Sequence, residues 1–199
     1  GGNDEIVVAS RSGKCIRFSE TDVRPMGRDT MGVRAMNLSE DDAVVDMLVL
    51  KEGCDILTVS ENGYGKRTDP ADYRIQSRGG KGIKAGVFNE KTGALVNMKL
   101  VTDEDDVMLV TSAGIVIRMH ADSISHIGRN TRGVRLMNVR GGTVATVAVT
   151  EKDDEAEVEA PEETAGDLTP EELAEGEMDA PEETEADMPA SDGAENSEE

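Results

Sequence analysis

A short stretch rich in arginine and glycine occurs three times in this chain at nearly constant spacing. The copies begin at Gly27, Ser77 and Gly128, which are 50 and 51 residues apart. In each copy an arginine is followed four residues later by a glycine, then by a β-branched residue, then by a base. A period of this size is typical of arrays in which each unit buries its apolar surface only against its neighbours. We therefore expect three related units that stack on one another.

Each unit is predicted to contain four short strands. An apolar run beginning at Ile6, Ile56 or Val107 is followed by a glycine turn and a second run, which is the pattern of a hairpin. The third and fourth strands are predicted at 33–38 and 44–50, at 83–88 and 95–101, and at 134–139 and 144–149. No 3.6-residue apolar period extends over ten residues in 1–150, so the pattern indicates an all-β, propeller-like array.

The chain is predicted to divide into blades at 4–53, 54–105 and 106–150, followed by a tail at 151–199. The formal net charge is −21, and the tail alone holds 22 acids and one base, so that residues 1–150 are neutral. High charge with few large apolar residues predicts a disordered tail. Such a tail either competes with phosphate for a basic surface or serves only solubility. Both alternatives remain open.

The sequence offers no catalytic constellation and no metal-ligand spacing. Cys15 and Cys54 are expected to be free thiols, and the two tyrosines, Tyr64 and Tyr73, are expected to pack in the interior. The two histidines, His120 and His126, are expected to be solvated. The chain has no tryptophan and two phenylalanines, which predicts an aliphatic core and disfavours base stacking on single-stranded nucleic acid. The Gly1-Gly2-Asn3 start suggests an excised fragment of a longer protein.

Basic residues recur at equivalent positions of the repeats, and we predict that they form a band that contacts the phosphates of a duplex. Glycines beside them would let backbone N–H groups approach an anion. The alternative is that the glycines serve tight bends and the arginines pair with acids such as Asp22 or Asp72. The predicted contact residues are Arg17, Arg24, Arg28, Arg34, Lys66, Arg67, Arg74, Arg78, Lys81, Lys84, Arg118, Arg129, Arg132 and Arg135.

Several of these stretches resemble the carboxy-terminal domain of the bacterial DNA gyrase A protein. They are DVRPMGR at 22–28, ENGYGKRT at 61–68, QSRGGKG at 76–82 and GRNTRGVR at 128–135. The resemblance implies a β-pinwheel, a propeller-like fold whose blades exchange a strand with their neighbours. It further implies three four-stranded blades, the last three of about six, and a disordered acidic tail. The segment 76–82 is similar to the family's Gln-Arg-Arg-Gly-Gly-Lys-Gly box but has Ser77 in place of the first arginine.

The resemblance also implies a function. Such a domain bends duplex DNA around a basic rim and supports ATP-dependent negative supercoiling by a cytoplasmic, nucleoid-associated type II topoisomerase. The fragment itself would be non-catalytic and hold no cofactor, with ATP and Mg²⁺ used elsewhere in the holoenzyme. The gyrase B protein and a second gyrase A protein would be partners through an N-terminal core. The alternatives are the same domain of the topoisomerase IV A protein and a protein-binding propeller scaffold.

Overall fold

The computed structural model describes residues 1–153, which form eleven β-strands and three single 3-10 turns. The predicted disordered tail lies outside the described residues, apart from its first three. No helix in the described part is long and apolar enough to cross a membrane. The strands are β1 Glu5–Ser10, β2 Lys14–Ser19, β3 Val44–Val49, β4 Asp55–Ser60, β5 Tyr64–Thr68, β6 Ile83–Lys84, β7 Leu95–Val101, β8 Asp105–Thr111, β9 Val116–His120, β10 Val134–Arg135 and β11 Val144–Glu151.

The strands form three sheets, one built mainly from each sequence repeat. Blade 1 has the order β3-β1-β2-β6, blade 2 has β10-β5-β4-β7, and blade 3 has β11-β8-β9. All strand pairs within the blades are antiparallel. The outer strand of blade 1 comes from the second repeat, and that of blade 2 comes from the third. The all-β fold and the exchange of strands between neighbouring blades are therefore confirmed.

The predicted third strand differs most from the observed structure. It contains two residues in the second and third repeats, β6 and β10, and 33–38 in the first repeat forms no strand. Within residues 1–153, blade 3 has three strands, so the prediction of four strands in every blade is wrong for this sheet. The reason is the exchange itself. The third strand pairs with the preceding repeat, and the described residues contain no repeat before the first or after the third.

The hairpin turns were predicted correctly from their glycines. Gly13, Gly63 and Gly114 connect the first two strands of each blade with φ of 82°, 81° and 80°. This left-handed region favours glycine because it has no Cβ. At Gly63 space is also limiting, because a Cβ would lie 2.4 Å from the carbonyl oxygen of Met137. The second hairpin therefore has the next repeat packed directly against its turn.

The core lies between the blades. One aliphatic cluster joins blades 1 and 2, and a second joins blades 2 and 3. Tyr73 is fully buried in the first cluster and Tyr64 is buried as well, which confirms their predicted packing role. Cys15 and Cys54 are free thiols, as expected. A single blade could not bury these side chains by itself, so its stability depends on its neighbours.

The inner strands of successive blades are joined by a polar contact at equivalent positions. In β3, Asp46 accepts hydrogen bonds from the Met98 N–H at 3.2 Å and from Lys99 Nζ at 3.0 Å. In β7, Asn97 Oδ1 accepts from the Val147 N–H at 3.1 Å and Asn97 Nδ2 donates to Asp46 at 3.2 Å. A side chain of each blade thus accepts from the main chain of the next, which sets the register between blades.

Candidate nucleic-acid interface

The arginines at the centre of the second strands are used within the fold. Arg17 donates through Nε to Glu5 at 2.8 Å and through Nη1 to the Tyr73 carbonyl at 3.1 Å. Arg67 donates through Nε to the Ile124 carbonyl at 3.0 Å. Each therefore links its own blade to the repeat that follows.

These arginines have acidic partners as well, so they are poorly placed for phosphate contact. Arg67 pairs with Asp103 at 2.5 Å, and its side chain is 9 % exposed. Arg118 donates through Nε to the buried Asp106 at 2.7 Å. The guanidinium groups of Arg17, Arg67 and Arg118 are each paired with a carboxylate, which disfavours the predicted phosphate contact at these three positions. The alternative of pairing with nearby acids describes these three.

Asp106 also contacts one of the two histidines, which were expected to be solvated. His120 ends β9, and its Nδ1 lies 2.6 Å from Asp106 Oδ1, so it is not a solvated loop histidine. Burial would raise the pKa of Asp106, but hydrogen bonds from His120, from the Asp153 N–H and from Arg118 hold that pKa below its usual value. The exposed His126 lies 3.3 Å from Asp55.

Lys66 is the most deeply buried base of the predicted set, with 1 % of its surface exposed. Its Nζ donates to the Gly128 carbonyl at 3.0 Å, to the Thr131 carbonyl at 2.8 Å and to the Arg129 carbonyl. Burial, and after it the positive charge of Arg129, lowers the pKa of Lys66 to about 7. The prediction of a direct phosphate contact is therefore wrong for Lys66, which lies beneath the loop and not on its surface.

Two arginines of the repeated stretch attach their loops to the preceding repeat. Arg78 donates through Nε to the Asp22 carbonyl at 2.9 Å and through Nη1 to the Arg34 carbonyl at 3.1 Å. Arg129, one repeat later, donates in the same way to the equivalent carbonyls, those of Asp72 at 3.2 Å and Lys84 at 2.6 Å. The arginine-rich loops of neighbouring repeats are therefore in contact, and the bases that they carry belong to one continuous surface.

The glycines of this stretch make close contact with the neighbouring strand possible. A Cβ at Gly82 would lie 2.4 Å from the Cys15 carbonyl oxygen, and one at Gly133 would lie 2.4 Å from that of Gly65. Both have positive φ, 73° and 84°. Gly32, the equivalent residue of the first copy, has φ of 76° with no atom within 4 Å of an added Cβ. In the two docked copies these glycines serve the contact between blades.

The remaining bases of the predicted set are exposed or half-exposed, and we call them the rim band. Arg135 is held in place by Tyr64: its Nη2 donates to the Tyr64 hydroxyl at 2.8 Å and its guanidinium carbon lies 5.2 Å from the ring centroid. The rim band comprises Arg24, Arg28, Arg34, Arg74, Arg78, Lys81, Lys84, Arg129, Arg132 and Arg135. Of the fourteen predicted contact residues, Lys66 and Arg67 are buried, Arg17 and Arg118 are half-buried and paired with carboxylates, and the other ten form the rim band.

Sequence reasoning missed the role of Lys66, although a signal was present. Lys66 is equivalent to Ile16 and Ile117, and both isoleucines are buried. Because side chains alternate between the faces of a strand, a lysine at this position points inward. The repeat alignment could therefore have identified Lys66 as an interior base, whereas its hydrogen-bond partners required the structure.

The comparisons with known proteins agree with this architecture. The family described as DNA gyrase C-terminal domain, beta-propeller, matches residues 4–51, 55–102 and 105–151. The DNA gyrase A protein of Staphylococcus epidermidis is 45 % identical over 157 residues, covering 77 % of this chain and 18 % of the relative. The same protein of Staphylococcus aureus is 40 % identical over 171 residues, covering 84 % and 19 %. The chain thus spans about a fifth of the length of these relatives.

Two solved structures have a similar fold. One, a DNA gyrase A C-terminal domain, is 31 % identical with a TM-score of 0.69, covering 73 % of this chain and 50 % of the other. The C-terminal domain of a DNA topoisomerase IV has a TM-score of 0.71 at 20 % identity, covering 75 % and 47 %, and this likeness concerns the fold alone. The family match extends over most of the chain and coincides with its three repeats. The chain therefore belongs to the DNA gyrase C-terminal domain family of beta-propeller proteins.

Proposed function

We propose that this chain binds duplex DNA along the rim band and bends it, as part of the DNA-wrapping region of a DNA gyrase A protein. The observation that carries the proposal is the docking of the repeated loops. Arg78 and Arg129 each bind the main chain of the preceding repeat, next to the exposed Arg34 and Lys84. Each loop thereby extends a surface of bases that its neighbour began.

This arrangement suits phosphate recognition that is independent of sequence. Exposed lysine and arginine side chains neutralise backbone phosphates and release counterions, and such contacts position a duplex without distinguishing its bases. Residues 1–150 have as many acids as bases. The bases of the rim band are clustered in the repeated loops and the segments beside them, so they would supply a local positive field within a neutral domain.

The wider role follows from the family. We propose that the chain serves an ATP-hydrolysing type II topoisomerase that introduces negative supercoils in the bacterial cytoplasm at the nucleoid. The gyrase B protein and a second gyrase A protein would be partners through the N-terminal core of the complete protein, and ATP and Mg²⁺ would act there. In this chain the rim band would determine the path of the DNA segment. The topoisomerase IV A protein and a protein-binding scaffold are the alternatives.

The proposal is tested by titrating the full chain with a duplex at several salt concentrations. The double variant Lys81→Ala/Lys84→Ala removes two exposed bases of the rim band. Each phosphate contact contributes about 0.9 to the slope of log affinity against log salt, so we expect the slope to fall by about two units.

The matched control is Lys51→Ala/Arg140→Asn, which removes the same charge from two exposed positions outside the rim band. Asparagine is chosen at Arg140 because it tolerates the positive φ of 45° there. The slope of this control should match that of the unchanged chain. Equal losses in both double variants, or an affinity independent of salt, would refute the proposal. In that case, capture of a protein partner unaffected by duplex would support the scaffold alternative.

A further inference from the structure

The second repeat has a cation where the other two repeats have an apolar side chain. Lys66 lies in β5, and the equivalent positions in β2 and β9 hold Ile16 and Ile117. Lys66 is 1 % exposed and Ile16 is fully buried. A buried ammonium is costly unless hydrogen-bond acceptors surround it. Apolar packing alone therefore does not explain why a lysine occupies this position.

Its hydrogen-bond partners all belong to one loop of the next repeat. Nζ donates to the carbonyls of Gly128 and Thr131 at 3.0 and 2.8 Å, to the Arg129 carbonyl, and to Thr131 Oγ1 at 3.3 Å. This loop carries Arg129 and Arg132 of the rim band. Three carbonyls of the loop therefore turn inward onto a single nitrogen from the blade beneath. The Thr131 carbonyl also accepts from the Val87 N–H at 3.2 Å and the Gly128 carbonyl from Thr131 Oγ1 at 2.9 Å, so Lys66 contributes most at the Arg129 carbonyl.

Burial lowers the pKa of Lys66 most, and two charged groups on other elements also act on it. The positive charge of Arg129 in the loop lowers this pKa further, whereas the negative charge of Asp72, in the turn that follows β5, raises it. Cys15 in β2 is also near, but burial raises the pKa of its thiol to about 12 and so keeps it neutral. The carbonyl oxygens favour the ammonium form as well, because a hydrogen bond to a charged donor is stronger than one to a neutral donor. The loop thus supplies the acceptors that offset the desolvation of this lysine.

We propose that Lys66 is a positioning residue for the phosphate-contacting loop 128–135. Its Nζ donates to the inward-facing carbonyls and so fixes where Arg129 and Arg132 face the duplex, although Lys66 does not reach the surface. This inference rests on the proposed DNA-binding function and extends it to a buried residue. It predicts that a side chain without solvent exposure changes the number of phosphates that the domain contacts.

The first test is a double-mutant cycle on the full chain. Lys66→Met keeps the length of the side chain and removes the donor. We expect it to lower the salt slope of duplex binding by about one unit, as the loss of one phosphate contact would. If Lys66 acts through Arg129, the double variant Lys66→Met/Arg129→Ala should reduce the salt slope by no more than the larger of the two single-variant reductions. Fully additive losses, or an unchanged slope in Lys66→Met, would overturn the proposal.

A second variant distinguishes loss of loop positioning from misfolding of the chain. Lys66→Ile/Thr131→Gly copies the contact between the first blade and the loop of the second repeat, in which a Cβ built at Gly80 would lie 3.6 Å from Ile16 Cδ1. This variant replaces both Lys66 and the loop residue above it with the residues found at the equivalent contact. The loop should therefore stay docked, and the salt slope should equal that of the wild type. A slope as low as that of Lys66→Met in a folded Lys66→Ile/Thr131→Gly chain would contradict the positioning role.

Hydrogen exchange of the 128–132 amides tests the loop without DNA. We expect faster exchange in Lys66→Met and wild-type protection in Lys66→Ile/Thr131→Gly, with exchange of the equivalent 77–81 amides unchanged in both. Faster loop exchange in a chain whose wild type does not bind duplex would refute the proposed function and leave the role of Lys66 in the loop standing. Unchanged exchange in Lys66→Met would refute the role of Lys66, whatever the DNA result.

Discussion

The loops at 77–84 and 128–135 occupy equivalent places and are built differently. Both dock on the preceding blade through an arginine that binds two carbonyls and a glycine that lies against a strand. The first has Ile16 beneath it and the second has Lys66, whose ammonium binds three loop carbonyls.

The difference teaches that the position of the loop and its internal shape have separate causes. The arginine and the glycine are common to both loops and set where the loop docks. The equivalent Gly80 and Thr131 carbonyls each accept from a main-chain N–H of the preceding repeat, that of Asn37 at 2.8 Å and that of Val87 at 3.2 Å. What differs is the residue beneath, because Lys66 supplies the second loop with an additional donor that Ile16 cannot supply to the first. Substitution of the shared arginine or glycine should therefore affect both loops alike, whereas substitution of Lys66 should affect only the second loop.

The largest effect is expected at the shared glycine. Gly133→Ala and Gly82→Ala each place a Cβ 2.4 Å from a carbonyl oxygen, at positive φ. We expect each to lower the free energy of unfolding in urea by about 3 kcal/mol, from steric conflict added to backbone strain. Gly32→Ala is the control, because its φ is also positive but the space around it is open. It should cost about 1–2 kcal/mol. Equal losses at all three glycines would show that the contact with the strand contributes nothing.

The next effect separates the two loops. Lys66→Met removes one donor from the carbonyls of Gly128, Arg129 and Thr131. The Thr131 carbonyl keeps the Val87 N–H at 3.2 Å and the Gly128 carbonyl keeps Thr131 Oγ1 at 2.9 Å, so we expect a loss of about 2 kcal/mol in the free energy of unfolding, mainly from the Arg129 carbonyl. Ile16→Met, at the equivalent position of the first repeat, exchanges one apolar side chain for another and should cost less than about 1.5 kcal/mol. Urea denaturation of both variants measures the difference. If Ile16→Met is the more damaging, the loop carbonyls do not depend on Lys66.

A smaller, equal effect is expected for the shared arginines. Arg78→Ala and Arg129→Ala each remove two hydrogen bonds from a half-exposed guanidinium to carbonyls of the preceding repeat. Each should lower the free energy of unfolding by about 1–2 kcal/mol. A large inequality between these variants in the same assay would mean that the two loops do not dock in the same way.

The smallest effect is a pH dependence specific to the second loop. The folded pKa of Lys66, about 7, lies below its ordinary value of 10.5. Between these values the unfolded chain binds more protons than the folded chain, so the stability contributed by Lys66 rises with pH and is lost as the pH falls to 7. The slope is at most about 1.4 kcal/mol per pH unit, and the loop carbonyls reduce it by favouring the ammonium. Urea denaturation of wild type and Lys66→Met at pH 7.5 and 9 should show the difference narrowing at the lower pH. If the free energies of unfolding of wild type and Lys66→Met change with pH in parallel, the lowered pKa assigned to Lys66 is wrong.

Much of the fold could be predicted from the repeat. The first, second and fourth strands were found at nearly their observed bounds, because the first and fourth are rich in apolar residues and a turn glycine precedes the second. The third strand was not, because β6 and β10 contain two residues each and have no pattern of their own. Their pairing is with residues about 70 positions earlier, as for Ile83 with Cys15 and Val134 with Gly65, and periodicity within one segment does not register such contacts.

For the candidate site, the sequence by itself determined which positions carry bases and that they recur in register. It also determined the all-β array, since strand and turn signals are local. Only the tertiary structure decided which of those bases reach the surface. Arg17 and Arg67 meet acids and carbonyls from other strands and repeats, and Lys66 meets a loop more than 60 residues away. Whether a base binds a ligand or a neighbouring blade depends on the partners that long-range packing brings to it. The repeat places bases at equivalent positions in both situations, so the sequence pattern does not distinguish them.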